Sequence, residues 1–171
     1  MDPARWSRDS RVVPVAHPPA LFAGTRLRPL DDANLARCFP GAADGSPTRA
    51  IAWHLDRSII ARADFYLDLH SGGVRFLMPS MAGYDLTDPR SVEAANISGF
   101  PVIWGHPTLG PGRTISAAKL RNIPFLYTEA RGCGRVAPED LALFRRIIQN
   151  LLIHLSILPG SPERATIQHH L

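Results

Sequence analysis

The fold class of this chain is decided by residues 64–73, DFYLDLHSGG. The first seven are mostly apolar or aromatic, and a serine and two glycines follow at once. A short apolar run closed by turn residues predicts a buried strand. A second run of this kind, PFLYTE at 124–129, has a glycine three residues after its end. Each run ends on a polar residue, namely His70 and Glu129.

Helical patterns alternate with these strands. Ser46 is a favourable N-cap and Pro47 suits the first helical position, so a helix is expected from there to about Ala63. The longest helix is expected from Pro138 to about Pro159, because its apolar residues recur at helical spacing. The remaining predicted elements are strands at 11–16, 74–79 and 101–104, short helices at 88–98 and 116–121, and a loop over 17–45. This alternation predicts an α/β fold with a mainly parallel or mixed sheet flanked by helices.

Length and composition narrow the class of protein. At 171 residues the chain is expected to hold one folded domain over 11–159, between a disordered N-terminus at 1–10 and a mobile tail at 160–171. The net charge is +4, and Lys119 is the only lysine. The basic residues are dispersed along the chain, a pattern that does not favour nucleic-acid binding. No apolar run is long enough to span a membrane. The start lacks a signal-peptide pattern, and Cys38 and Cys133 lie far apart, so a reduced, cytoplasmic location is expected.

His70 and Glu129 are candidate site residues because sites in α/β sheets form beyond the carboxyl ends of strands. A neutral imidazole is a common zinc ligand, and Asp68 points to the same strand face as His70. The alternative is a histidine that merely closes a strand. Partial burial raises a carboxyl pKa, which suits Glu129 as a general base or acid. The alternative for Glu129 is a salt bridge to Arg131 or Arg135.

The long loop carries two arginines, Arg26 and Arg37. A guanidinium binds a carboxylate through two parallel hydrogen bonds, so either residue suits an acidic substrate. Exposed loop arginines are also ordinary surface groups. The pattern leaves both interpretations open.

Four motifs in order give the chain a resemblance to a known family. They are G-T-R at 24–26, N-L-x-R-x-F-P-G at 34–41, D-L-H-S-G-G at 68–73, and T-E at 128–129 ahead of a glycine. Residues 11–159 resemble the succinylglutamate desuccinylase/aspartoacylase family, zinc-dependent deacylases related to the zinc carboxypeptidases. The resemblance implies a zinc-carboxypeptidase-like fold and hydrolysis of an N-acyl amino acid or a similar amide.

The resemblance also implies roles for individual residues. His70 matches a zinc ligand, and Glu129 matches the general base that activates the zinc-bound water and protonates the leaving amine. Arg26 matches the arginine that stabilises the developing oxyanion. Arg37 matches the arginine that binds a substrate carboxylate, and Asn34 lies in the same substrate-binding motif.

The chain departs from the family pattern at several points. Ala36 replaces the asparagine before Arg37, and His17 replaces an asparagine before a proline. No H-x-x-E occurs in the sequence, although the family takes two zinc ligands from that motif, and the family's smaller β-rich domain has no counterpart after Pro159. The domain is therefore expected to be incomplete.

Two hypotheses about function follow from these departures. The first is a metal-dependent deacylase whose missing ligands come from elsewhere, either from a separate complementing chain or from residues upstream of a start assigned too late; a homo-oligomer is a further expected partner. The second is a non-catalytic remnant that acts as a carboxylate-binding module, because a catalytic zinc site needs three protein ligands.

Overall fold

The computed structural model describes residues 9–27, 29, 31–164 and 169–171. In these ranges the strands are β1 (Tyr66–Ser71), β2 (Met81–Asp85), β3 (Val102–His106), β4 (Phe125–Ala130) and β5 (His169–His170). The helices are α1 (Pro18–Ala23), α2 (Pro47–Ser58), α3 (Pro89–Ser98), α4 (Thr114–Leu120) and α5 (Pro138–His154), with 3₁₀ turns at Leu35–Arg37 and Ile60–Arg62.

The strands form one sheet of five, in the order β1-β4-β2-β3-β5. β2 pairs in parallel with β3 and antiparallel with β4, and β3 pairs in parallel with β5. The sheet is therefore mixed, which confirms the predicted fold class. β4 runs in the direction opposite to that of β2 and β3, which makes its pairing with β2 antiparallel.

The described chain separates into two compact units. The sheet unit comprises residues 9–10, 67–107, 125–164 and 169–171, and the helix unit comprises residues 11–27, 29, 31–66 and 108–124. His70 and Glu129 belong to the sheet unit, whereas Arg26, Asn34 and Arg37 belong to the helix unit.

The core of the sheet unit lies where α3 and α5 pack together beside the sheet. Every residue of β2 is buried. Phe100 and Phe144 meet edge to face, with ring centroids 5.9 Å apart. The backbone N–H of Phe125 donates to the buried hydroxyl of Ser91 at 3.0 Å, which ties the start of β4 to α3. These contacts hold β4, and with it Glu129, in a fixed place.

The helix unit contains an ion pair between a buried carboxylate and a partly exposed arginine. Nη2 of Arg121 donates to Oδ2 of Asp56, whose side chain is 1 % exposed. Ala52 of α2 and Ala118 of α4 are fully buried in the same unit. Burial raises the pKa of the Asp56 carboxyl, while Arg121 and then Arg57 act in the lowering direction.

Two predicted strands are wrong. Residues 11–16 form no regular element and are exposed, because Pro14 lacks the N–H that a strand ladder needs. Residues 74–79 form a loop apart from a single bridge at Leu77, and the strand begins later, at Met81. The loop predicted over 17–45 contains α1 and a 3₁₀ turn. The predicted helices and the strands at 64–70, 101–104 and 124–129 are confirmed within a few residues.

The last described residues run back along the sheet unit. Asn150 exchanges two hydrogen bonds with the backbone of Glu163, both 2.8 Å long. β5 pairs with β3 directly before Leu171. The mobility expected of 160–171 stays a prediction, and most of the predicted disordered segment 1–10 lies outside the described residues. No helix in the described chain is long and apolar enough to cross a membrane.

Candidate active site

His70 and Glu129 lie beside each other at the ends of neighbouring parallel strands. The N–H of Tyr66 donates to the C=O of Pro124, and the N–H of Gly72 donates to the C=O of Ala130, both at 3.0 Å. Each bond joins residues 58 positions apart, so β1 and β4 advance in the same direction with one register. In a parallel ladder an N–H donates to the residue that precedes its neighbour, so each residue of β1 lies beside the residue 59 positions later in the chain. His70 is therefore the neighbour of Glu129. Adjacent strands lie about 4.8 Å apart.

The two loops that follow these strands are bonded to each other. The N–H groups of Gly134 and Cys133 donate to the C=O groups of Gly73 and Phe76, at 2.9 and 3.0 Å. Gly132 has φ +83°, and a Cβ there would lie 2.5 Å from the carbonyl oxygen of Phe76. Only glycine fits this close approach. The loops that follow His70 and Glu129 are therefore held together by backbone hydrogen bonds.

Asp68 orients the imidazole of His70. Nε2 of His70 lies 3.0 Å from Oδ2 of Asp68, and the two side chains are 41 % and 18 % exposed. The predicted shared strand face brings them together, since side chains two positions apart point to the same side. A carboxylate on one imidazole nitrogen selects the tautomer that offers the other nitrogen.

Glu129 is half-buried, and its Oε2 atom is buried. Arg131 is one of the partners that the sequence suggests for Glu129. It directs Nε to Asp140 at 3.0 Å and Nη2 to Glu139 at 3.2 Å, both in the first turn of α5. This arginine therefore braces the loop after β4 against α5.

The three predicted residues of the helix unit lie in loops or at a 3₁₀ turn. Arg26 is exposed and follows α1 after a left-handed Gly24. Arg37 is exposed, and its Nη1 donates to the C=O of Ala36 at 2.7 Å. Oδ1 of Asn34 accepts the N–H of Ala36 at 3.0 Å and so caps the turn that carries Arg37. Asn34 thus has a structural role in this unit.

Sequence reasoning missed the side chains that anchor the Arg26 loop. Ser46 occupies the predicted N-cap position of α2, but its side chain makes no capping hydrogen bond there. Asp31 caps the helix instead, since its Oδ2 accepts the N–H of Thr48 at 2.8 Å. His17 caps α1, because its Nδ1 accepts the N–H of Ala20 at 3.1 Å. Spacing does not show the cap by Asp31, because this residue acts on a helix 17 residues away.

The resemblance implies a zinc site, which needs donor side chains that converge on one point. Across the described ranges, no group of three His, Cys, Asp or Glu side chains is placed to hold a metal ion. A catalytic zinc takes three protein ligands, and here His70 supplies a single imidazole beside Asp68. The described donor set does not fit a complete zinc site.

Comparison with known proteins places the chain in a family. The succinylglutamate desuccinylase/aspartoacylase catalytic domain matches residues 1–155, and the chain belongs to this family. It is 36 % identical over 155 residues to the N-alpha-acetyl-L-2,4-diaminobutyric acid deacetylase of Halomonas elongata. That alignment covers 87 % of this chain and 45 % of the relative.

Solved structures agree with this assignment. The ectoine utilization protein EutE (DoeB) of Ruegeria pomeroyi, in a product-bound structure, is similar with a TM-score of 0.86 and 28 % identity over 94 % of this chain and 50 % of that one. A succinylglutamate desuccinylase/aspartoacylase of Rhodobacter sphaeroides gives a TM-score of 0.80 and 31 % identity over 90 % and 48 %. The chain thus spans about half the length of the relatives it matches.

Proposed function

We propose that this chain contributes the acid–base part of the active site of an enzyme that hydrolyses N-acyl amino acids. The observation that carries the proposal is the register of β1 and β4, which sets His70 beside Glu129. Family membership and the 36 % identity to an N-acetyl amino acid deacetylase support the same reaction class.

The chemistry assigned to Glu129 is proton transfer. Its carboxylate takes a proton from a water molecule as the water oxygen bonds to the acyl carbonyl carbon. The C–N bond then breaks, and the proton passes from Glu129 to the departing amine nitrogen. The products are a carboxylic acid and a free amino acid.

The other predicted residues support this reaction in the roles that the resemblance implies. The Arg26 guanidinium stabilises the negative charge that develops on the carbonyl oxygen, as a fixed positive group does in a preorganised site. Arg37 binds the carboxylate of the amino acid. His70, oriented by Asp68, supplies one metal ligand, and the remaining ligands have to come from residues other than those described.

A second candidate function is a carboxylate-binding module without catalysis. Two observations favour it: no three-donor group exists among the described residues, and Arg26 and Arg37 are exposed in the helix unit. Such a module would bind the same N-acyl amino acids and release them unchanged.

A deacylation assay separates the two candidates. The purified chain is incubated with Nα-acetyl-L-2,4-diaminobutyrate or N-succinyl-L-glutamate, and the freed carboxylic acid is followed by NMR. One series uses the chain alone, and a second adds the part of the Halomonas elongata deacetylase that the chain does not match. We expect turnover in the second series.

Matched variants make the assay decisive. Glu129→Gln should abolish turnover, whereas Glu93→Gln, on the exposed surface of α3, should not. Equal turnover by the Glu129→Gln variant would overturn the assignment of the base. Binding without turnover in both series, weakened by Arg37→Met, would establish the binding module.

A further inference from the structure

A single buried hydroxyl joins the two ends of the segment that carries Arg26. Oγ1 of Thr48 lies 3.2 Å from Nε2 of His17 and 2.8 Å from Oδ1 of Asp31. Thr48 is fully buried near the start of α2. The segment between its two partners runs from His17 to Asp31 and contains Arg26.

The hydrogen atoms of this network have one consistent arrangement. Nδ1 of His17 accepts the N–H of Ala20, so this nitrogen carries no proton. The hydroxyl proton of Thr48 is donated to Asp31. Oγ1 of Thr48 therefore accepts from Nε2, and the ring proton of His17 lies on Nε2.

The charge of Asp31 strengthens the network. Desolvation raises the pKa of this carboxyl, but hydrogen bonds from the backbone and side chain of Thr48, then from Ser46 and Ala33, lower the pKa further, to about 2. Asp31 is ionised at neutral pH, and hydrogen bonds to a charged acceptor are the stronger kind.

A short series of hydrogen bonds connects His17 to the backbone around Arg26. His17 caps α1, and Gly24 ends the helix with its N–H bonded to Ala20 and Leu21. The N–H of Thr25 donates to the C=O of Ala20 at 3.0 Å, and its hydroxyl donates to the C=O of Leu27 at 2.6 Å. The backbone on both sides of Arg26 is thus tied to α1, and α1 is tied to Thr48 through His17.

We propose that Thr48 is a positioning residue for Arg26, acting as a clamp on both ends of the segment from His17 to Asp31. The catalytic consequence rests on the proposed function, in which Arg26 stabilises the oxyanion. The clamp itself is a property of the helix unit and can be measured without activity.

Limited trypsin digestion of the native chain tests the clamp. Trypsin cleaves after Arg26, whereas the bond after Arg28 resists because Pro29 follows. Thr48→Val keeps the size of the side chain and removes the hydroxyl, and we expect cleavage after Arg26 about tenfold faster. Thr48→Ser keeps the hydroxyl and should match the parent rate within about twofold.

Cleavage after Arg57, an exposed residue of α2, reports general loosening of the same unit. The proposal is overturned if Thr48→Val leaves cleavage after Arg26 unchanged, or accelerates cleavage after Arg57 equally. ¹⁵N NMR of His17 is an independent measurement, in which the expected signal is the neutral Nε2–H tautomer. The Nδ1–H tautomer would also overturn the clamp.

If the deacylation assay succeeds, Thr48→Val should lower kcat about tenfold with little change in KM, because Arg26 acts on the transition state. A raised KM with unchanged kcat would contradict the positioning role while leaving Glu129 as the base. If the assay fails, the digestion and the tautomer decide the clamp by themselves.

Discussion

Nε2 of His70 lies 3.0 Å from Oδ2 of Asp68, two positions earlier on the same strand. The pair makes the imidazole an oriented group, because a carboxylate acceptor selects the Nε2–H form and leaves Nδ1 as the ligating nitrogen. A histidine that merely closes a strand would need no such partner.

Asp68→Asn should therefore shift the neutral His70 ring away from the Nε2–H tautomer. The ¹⁵N chemical shifts of the ring measure the two tautomers directly. Asp64→Asn, an exposed substitution just before the strand, is the matched control and should leave the spectrum of His70 unchanged. An unaltered tautomer ratio in Asp68→Asn would show that this carboxylate does not orient the ring.

The chain alone should hold zinc weakly. One imidazole and its neighbouring carboxylate do not make the three-ligand site that a catalytic zinc requires. After zinc loading and dialysis, elemental analysis should find well below one zinc per chain. Stoichiometric zinc that is lost in His70→Ala but kept in His154→Ala would contradict this expectation.

Asp31→Asn should flatten the acid limb of the stability curve. The pKa of Asp31 is about 2 in the folded chain against 3.8 ordinarily, so the unfolded chain binds more protons between these values. Stability from this carboxylate is present above about pH 4 and is lost as pH falls toward 2. Urea unfolding at several pH values measures this slope. A parent and a variant with parallel slopes in that window would refute the assignment.

Arg121→Met should destabilise the helix unit by about 3–5 kcal/mol, because it leaves the buried Asp56 carboxylate without its ion-pair partner. Arg62→Met, at an exposed position of the same unit, should change stability by no more than about 0.5 kcal/mol. Urea denaturation at pH 7 measures both. Adding Asp56→Asn to the Arg121 variant should recover part of the loss, and a fully additive double variant would exclude coupling.

The outer edge of β1 should promote self-association. Alternate residues of β1 form backbone hydrogen bonds with β4. The backbone N–H and C=O groups of Leu67, Leu69 and Ser71 therefore point away from β4, toward the outer edge of the sheet. Within the described chain, no strand pairs with this outer edge. Leu69 is half-exposed there, and Val74, Phe76 and Leu77 are exposed on the next loop. Exposed apolar edge strands template pairing with other chains.

Leu69→Lys should therefore lower the apparent mass in light scattering relative to the parent. Leu120→Lys, at an exposed leucine of α4, is the control and should change nothing. A monomeric parent at high concentration would contradict the prediction.

Local patterns were sufficient where a segment is decided by its own residues. The apolar runs at 64–70 and 124–129 each close on turn residues, and they predict both the strands and the position of His70 and Glu129 at their ends. The strand at 74–79 was wrong because its backbone bonds lie with the loop after β4, as in the bond from Met78 N–H to Arg131 C=O. Such a partner is too distant in sequence for a periodicity to show.

Motifs and periodicities are local, and they were enough to indicate the family, the α/β class and the positions of His70 and Glu129 at strand ends. The folded chain adds that β1 and β4 set His70 beside Glu129, that β4 runs antiparallel to β2 and that Asp68 holds His70. It also shows that Thr48 joins His17 to Asp31. The physical reason is that these contacts depend on hydrogen bonds between groups which only the folded chain brings within 3 Å or so of each other.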